Sequence, residues 1–131
     1  MYILIIIISN IFYLNSGFLQ LKINDSWYFF NDESYSELHI TDNKIYFITE
    51  FFDVEIYDYR ICDDSIKLFR GNELSRVINI VKHDDNLILE EGIYKYNLFK
   101  IDRLNEVENI EKLYQDYLKR KQVINIDQKD I

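Results

Sequence analysis

Short apolar runs separated by Asp- and Asn-rich turns dominate this chain. Four turn signals recur: Asn24-Asp25-Ser26, Asp42-Asn43-Lys44, Asp63-Asp64-Ser65 and Asp84-Asp85-Asn86. Each precedes a run rich in aromatic or branched aliphatic residues, at 27–30, 45–48, 66–69 and 87–89. The signals lie 18 to 21 residues apart, which is the length of two strands and their connections. Asp and Asn tolerate left-handed backbone, so the pattern reads as a stack of hairpins.

Nine strand candidates follow from this spacing: 18–23, 26–31, 35–41, 44–51, 53–61, 64–70, 75–82, 86–91 and 93–101. Tight Asp/Asn turns are expected at one end. Looser joints are expected at the other, around 32–34, 52–53, 71–74 and Gly92. The predicted fold is mainly β, an antiparallel up-and-down meander closed into an 8–9-stranded barrel, with one C-terminal α-helix.

Alternation divides several strands into two faces. Leu38 and Ile40 oppose Glu37, His39 and Thr41; Val54 and Ile56 oppose Glu55, Tyr57 and Tyr59. Ile93, Phe99 and Ile101 oppose Tyr94, Tyr96 and Leu98. The barrel would thus carry aliphatic faces and faces of tyrosines with polar tips.

Asn105 is a good helix N-cap, and Glu108 completes a capping-box-like pair. Leu104, Val107, Ile110, Leu113, Tyr114, Tyr117 and Leu118 recur at helical spacing. Lys119, Arg120 and Lys121 finish the helix where its dipole favours cations. Residues 122–131 read as a tail.

The first 14 residues are apolar except for Ser9 and Asn10, and no charge precedes Lys22. Residues 1–17 therefore read as an export signal ending near Ser16-Gly17, although the usual basic start is missing. The other reading is a buried first strand over 2–8. The segment is short for a membrane span. The expected location is exported, periplasmic or in the cell envelope, with membrane association through this segment left open.

With 131 residues the chain is one domain, and the barrel with its helix would occupy 18–121. It holds 11 Tyr, 9 Phe and 1 Trp but no Ala and no Pro, which favours strands. A net charge of −8 argues against a nucleic-acid partner, since phosphates are bound by clustered Lys and Arg. Acidity keeps an aromatic-rich protein soluble, and it also fits a second reading as an interaction module for a basic protein. Cys62 is the only cysteine, so an intrachain disulfide and multi-cysteine zinc sites are excluded.

Three glycines cannot build a phosphate-cradling loop, and no Gly-x-Ser-x-Gly elbow occurs. No cofactor, metal or catalytic residue is expected. Glu37 and His39 share a strand face and suit acid–base work, or else form a solvent-facing pair. His83-Asp84-Asp85 offers too few oxygens for Ca²⁺ and reads as a turn. Trp27, Tyr46, Tyr57, Tyr59, Tyr94 and Tyr96 are the candidate lumen-lining set. Their apolar bodies and polar tips suit an amphipathic small molecule, unless side chains fill the barrel.

An early Trp in Ser26-Trp27-Tyr28, a run of hairpin-linked strands and a C-terminal helix together resemble the lipocalin or calycin architecture. The chain is similar to small exported lipocalin-like bacterial proteins over residues 18–121. Asp25-Ser26 stands where that family carries its Gly. The resemblance implies ligand binding in a cup-shaped lumen, with Trp27 packed near the closed end. The expected function is non-enzymatic binding of a hydrophobic or amphipathic small molecule; an inhibitor- or immunity-type partner of a basic protein is the alternative.

Overall fold

Hairpins built on Asp and Gly turns close on themselves. The computed structural model describes residues 25–50, 54–63, 65–102 and 107–129, with the backbone alone for 125–129. The expected signal at 1–17 and the first strand candidate at 18–23 lie outside the described residues.

The chain order is β1 (Asp25–Asn31), β2 (Ser34–Ile40), β3 (Lys44–Ile48), β4 (Val54–Cys62), β5 (Ser65–Arg70), β6 (Glu73–His83), β7 (Asn86–Glu91), β8 (Tyr94–Lys100) and α1 (Ile110–Lys129). Each strand pairs antiparallel with the next. β1 returns to β8 through Trp27 opposite Lys100 and Tyr28 opposite Phe99, so the eight form a closed barrel. Closure removes the unpaired edges of an open sheet. Candidate 18–23 is not needed for it.

The turns differ from expectation at one end. Joints read as loose at 32–34, 71–74 and Gly92 are two-residue turns, at Asp32-Glu33, Gly71-Asn72 and Gly92-Ile93. Asp32, Asp63 and Asp84 adopt left-handed φ of 56°, 51° and 55°. Gly92 does the same at 60° with open space where a Cβ would stand, so backbone conformation rather than crowding selects glycine there. Asn24-Asp25-Ser26 is not a connection between described strands, because Asp25 and Ser26 already belong to β1.

Two apolar cores result. One fills the barrel toward the 41–43 turn, where Trp27, Leu38, Ile40, Ile45, Ile66 and Ile80 pack together. The other lies between α1 and the outer face of β1–β3, joining Tyr35, Ile48, Leu113 and Tyr117.

α1 departs from its predicted bounds. Asn109, not Asn105, caps it: the Lys112 N–H donates to Asn109 Oδ1 at 2.7 Å. Asn105 lies outside the described residues. The helix runs on through 122–129, beyond the expected end at Lys121. Of the expected stripe, Leu113 and Tyr117 are buried, whereas Ile110 and Leu118 are exposed. The packed face follows Leu113, Tyr117, Arg120 and Ile124, at intervals of four, three and four residues. Arg120 sits in the middle of the packed face and does not serve the helix end.

Candidate functional site

Two polar clusters stand out, one sealed beneath α1 and one open at the end of the barrel.

The sealed cluster grows from alternation along β2. Ser36, Leu38 and Ile40 point into the barrel; Tyr35, Glu37 and His39 point outward, and α1 packs on Tyr35 and Glu37. Glu37, His39 and Ser26 are each 0% exposed. Glu37 is the hub. Arg120 Nε and a terminal N–H donate to its two oxygens, each at 2.7 Å. The Tyr35 hydroxyl donates to it at 2.5 Å, and His39 Nε2 lies 2.8 Å from Oε1. A carboxylate only accepts, so Nε2 carries the hydrogen; Nδ1 meets the Ser26 hydroxyl at 2.7 Å.

Burial alone would raise the Glu37 pKa. The Arg120 fork and His39 outweigh it and hold the carboxyl at about 2. Burial and the neighbouring Glu37 charge push the Tyr35 hydroxyl far up. The expectation of Glu37 and His39 as a solvent-facing pair is thus corrected: both are fully buried, Glu37 against Arg120 of α1.

Ser26, His39 and Glu37 have the order of a nucleophile–base–acid relay. No substrate reaches the Ser26 hydroxyl at 0% exposure, and a carboxylate clamped by arginine anchors a helix. The Tyr117 hydroxyl adds a second tie by donating to the Tyr35 carbonyl at 2.9 Å.

The open cluster is a cup of about 410 Å³ at the barrel end that carries the 32–33, 71–72 and 92–93 turns. Phe29, Phe47 and Leu89 supply apolar lining. Glu55, Tyr57, Arg70, Arg76, Glu91 and Tyr96 supply a charged and phenolic wall. Asn31, Ser36 and Thr49 complete it.

The wall is a charge network. Arg76 donates two bonds to Glu91, at 2.6 and 2.9 Å, and lies 3.5 Å from Glu55. Its guanidinium stands 4.1 Å above the Phe47 ring centre. Burial opposes the charge on Arg76, but the bonds to Glu91 and Tyr57 raise its pKa. The Tyr57 hydroxyl donates to Glu55 and accepts from Arg70 at 3.3 Å. Two cations thus face two carboxylates, leaving the cup electrically balanced yet rich in donors and acceptors.

The six candidate lumen residues divide. Tyr57 and Tyr96 line the cup together. Burial and then the Glu91 charge raise the Tyr96 pKa. Tyr94 is mostly exposed, its ring parallel to that of Tyr96 at 6.4 Å. Trp27 is buried in the barrel core with the Lys100 ammonium 4.8 Å from its ring centre. Tyr59 faces inward at the opposite end, its hydroxyl donating to the Thr41 carbonyl at 2.8 Å. Tyr46 is on the outer face under α1, because it pairs with Ile56 and not with an inward residue.

Arg70, Arg76 and Glu91 are functional candidates that sequence reasoning missed. The signal was present: the inward stripes Ile66-Leu68-Arg70, Arg76-Ile78-Ile80 and Leu87-Leu89-Glu91 each end in a charge on the cup side.

Among the described residues no group of three or more His, Cys, Asp or Glu could hold a metal ion, and no helix is long and apolar enough to cross a membrane. No family model, curated protein or solved structure matches the chain.

Proposed function

We propose that the protein binds an amphipathic small molecule in the cup. The observation that carries this reading is the cavity itself. Side chains pack the barrel at one end but leave about 410 Å³ open at the other, with aromatic and aliphatic lining below a polar wall. Small-molecule sites combine these properties at volumes of roughly 300–1,000 Å³. Arg76 and Arg70 are already braced on aromatic faces and on Glu55, Glu91 and Tyr57, so the wall is held in place before a ligand arrives.

The up-and-down barrel followed by a helix is compatible with a lipocalin-like relationship, and ligand carriage in the lumen suits that architecture. Export belongs to the same proposal: a chain that begins near residue 18 in its own cells supports it, and one that begins at Met1 contradicts it.

The neutral dye N-phenyl-1-naphthylamine, whose fluorescence rises in apolar surroundings, tests the cup. Asn31 lies at the mouth and is exposed, so Asn31→Trp covers the opening without touching the core. The full chain should enhance the dye's emission, and Asn31→Trp should weaken binding about tenfold or more. Equal binding by both proteins, or none by either, contradicts the reading.

A further inference from the structure

Resting on the cup as a ligand site, we infer that its occupant is a flat, aromatic hydroxycarboxylate, with its carboxylate on Arg70 and its hydroxyl on Ser36. Two observations, one on β2 and one on β5, carry this.

Ser36 lies deep on β2, opposite Phe29, and lines the cavity while only 2% exposed. Its hydroxyl has no hydrogen-bond partner among the described residues. Buried polar groups in folded proteins pair with protein, water or ligand, and this hydroxyl faces the cavity, where an entering polar group can pair with it. Leu38 and Ile40, the next inward residues of β2, show that an apolar side chain suits this face. The hydroxyl therefore points to a polar group that arrives through the cavity. It both donates and accepts, and another hydroxyl complements it.

Arg70 is the more loosely held cation of the wall. Arg76 spends both prongs on Glu91. Arg70, 57% exposed, makes a single hydrogen bond among the described residues, to the Tyr57 hydroxyl. Glu55 stands 3.7 Å away, beyond hydrogen-bond reach, and accepts from Tyr57 instead. The Arg70 guanidinium stacks 4.9 Å from the Tyr57 ring centre, which orients its free N–H groups. A planar fork so presented matches a carboxylate.

Four of the other lining residues are aromatic: Phe29, Phe47, Tyr57 and Tyr96. Phe29 meets Phe47 edge-on at 6.5 Å and Tyr96 at 5.3 Å, and Phe47 meets Tyr57 edge-on at 6.2 Å. Such faces and edges receive a ring. A cavity of about 410 Å³ holds one ring system with a short side chain. A simple fatty acid would set its methyl end against Ser36 and leave that hydroxyl unpaired.

Calorimetric titration of the full chain tests the inference with four compounds: 3-(4-hydroxyphenyl)propanoate, 3-phenylpropanoate, the methyl ester of the first, and N-phenyl-1-naphthylamine. The hydroxy acid should bind about tenfold more tightly than either the analogue without a hydroxyl or the ester. Ser36→Ala should abolish only the first preference and Arg70→Met only the second. Both variants should keep the wild-type circular dichroism, since one loses an unpaired hydroxyl and the other an exposed side chain. If the hydroxy acid binds no better than its analogues while the naphthylamine still enters, the inference falls and the cup stands. If none of the four binds, both fall.

Discussion

Arg120→Met should destabilise the protein by about 3 kcal/mol, the lower end of the cost of stranding a buried charge. The Glu37 carboxylate is fully buried, and Arg120 supplies two of its four hydrogen bonds. Without the fork, Tyr35 and His39 must hold most of a charge that is fully buried in the wild type. Arg120 is itself 29% exposed, which admits some solvent to the gap and keeps the cost from rising further. Arg120→Lys should recover only part of the loss, because an ammonium cannot make the two-pronged bond. Pairing Arg120→Met with Glu37→Gln should recover more than either change alone predicts, since no charge then remains buried. Urea denaturation of the wild type, Arg120→Met, Arg120→Lys, Glu37→Gln and the double variant measures this. A loss under about 0.5 kcal/mol for Arg120→Met would place the pair with ordinary surface bridges and contradict its role as the helix anchor.

The second expected effect is acid sensitivity. The Glu37 carboxyl has a folded pKa of about 2 against an ordinary 4.5, because the Arg120 fork and His39 outweigh burial, so the folded state binds the proton less readily than the unfolded chain. Its stabilising contribution is complete above pH 4.5 and is lost as pH falls through 2. The size of that contribution is about 3 kcal/mol. Urea midpoints taken from pH 6 down to pH 2.5 should fall more steeply for the wild type than for Glu37→Gln, the two curves converging in acid. Parallel curves would show that Glu37 is not held ionised by Arg120 and His39.

Strand positions were legible in the chain because hairpin turns carry their own chemistry. Eight of the nine candidate strands coincide with β1–β8 within a few residues, and Asp63 and Asp84 take the left-handed backbone that their turn signals implied. Faces were half legible. Alternation separated Leu38 and Ile40 from Glu37 and His39, but it could not say that a helix would cover the polar side. That fact depends on Arg120, which lies 83 residues from Glu37 in the chain and looked like a helix-end cation. The cup was visible only in part. Tyrosine drew the eye to Tyr57 and Tyr96, while the charges that end the β5, β6 and β7 stripes went unread. A charge at the end of an apolar stripe looks like a strand terminus in solvent until closure brings several such ends around one opening. Tyr46 misled for a related reason: within β3 the inward residues are Ile45 and Phe47, and only pairing with β4 reveals it.

The central claim, that the open end of the barrel holds a ligand, is tested most directly by native mass spectrometry of the protein purified from its own cells, beside Asn31→Trp prepared in the same way. The account predicts a small-molecule mass on the wild type that is released on denaturation and missing from the variant. Bare polypeptide mass for the wild type, or the same adduct on both proteins, would contradict it.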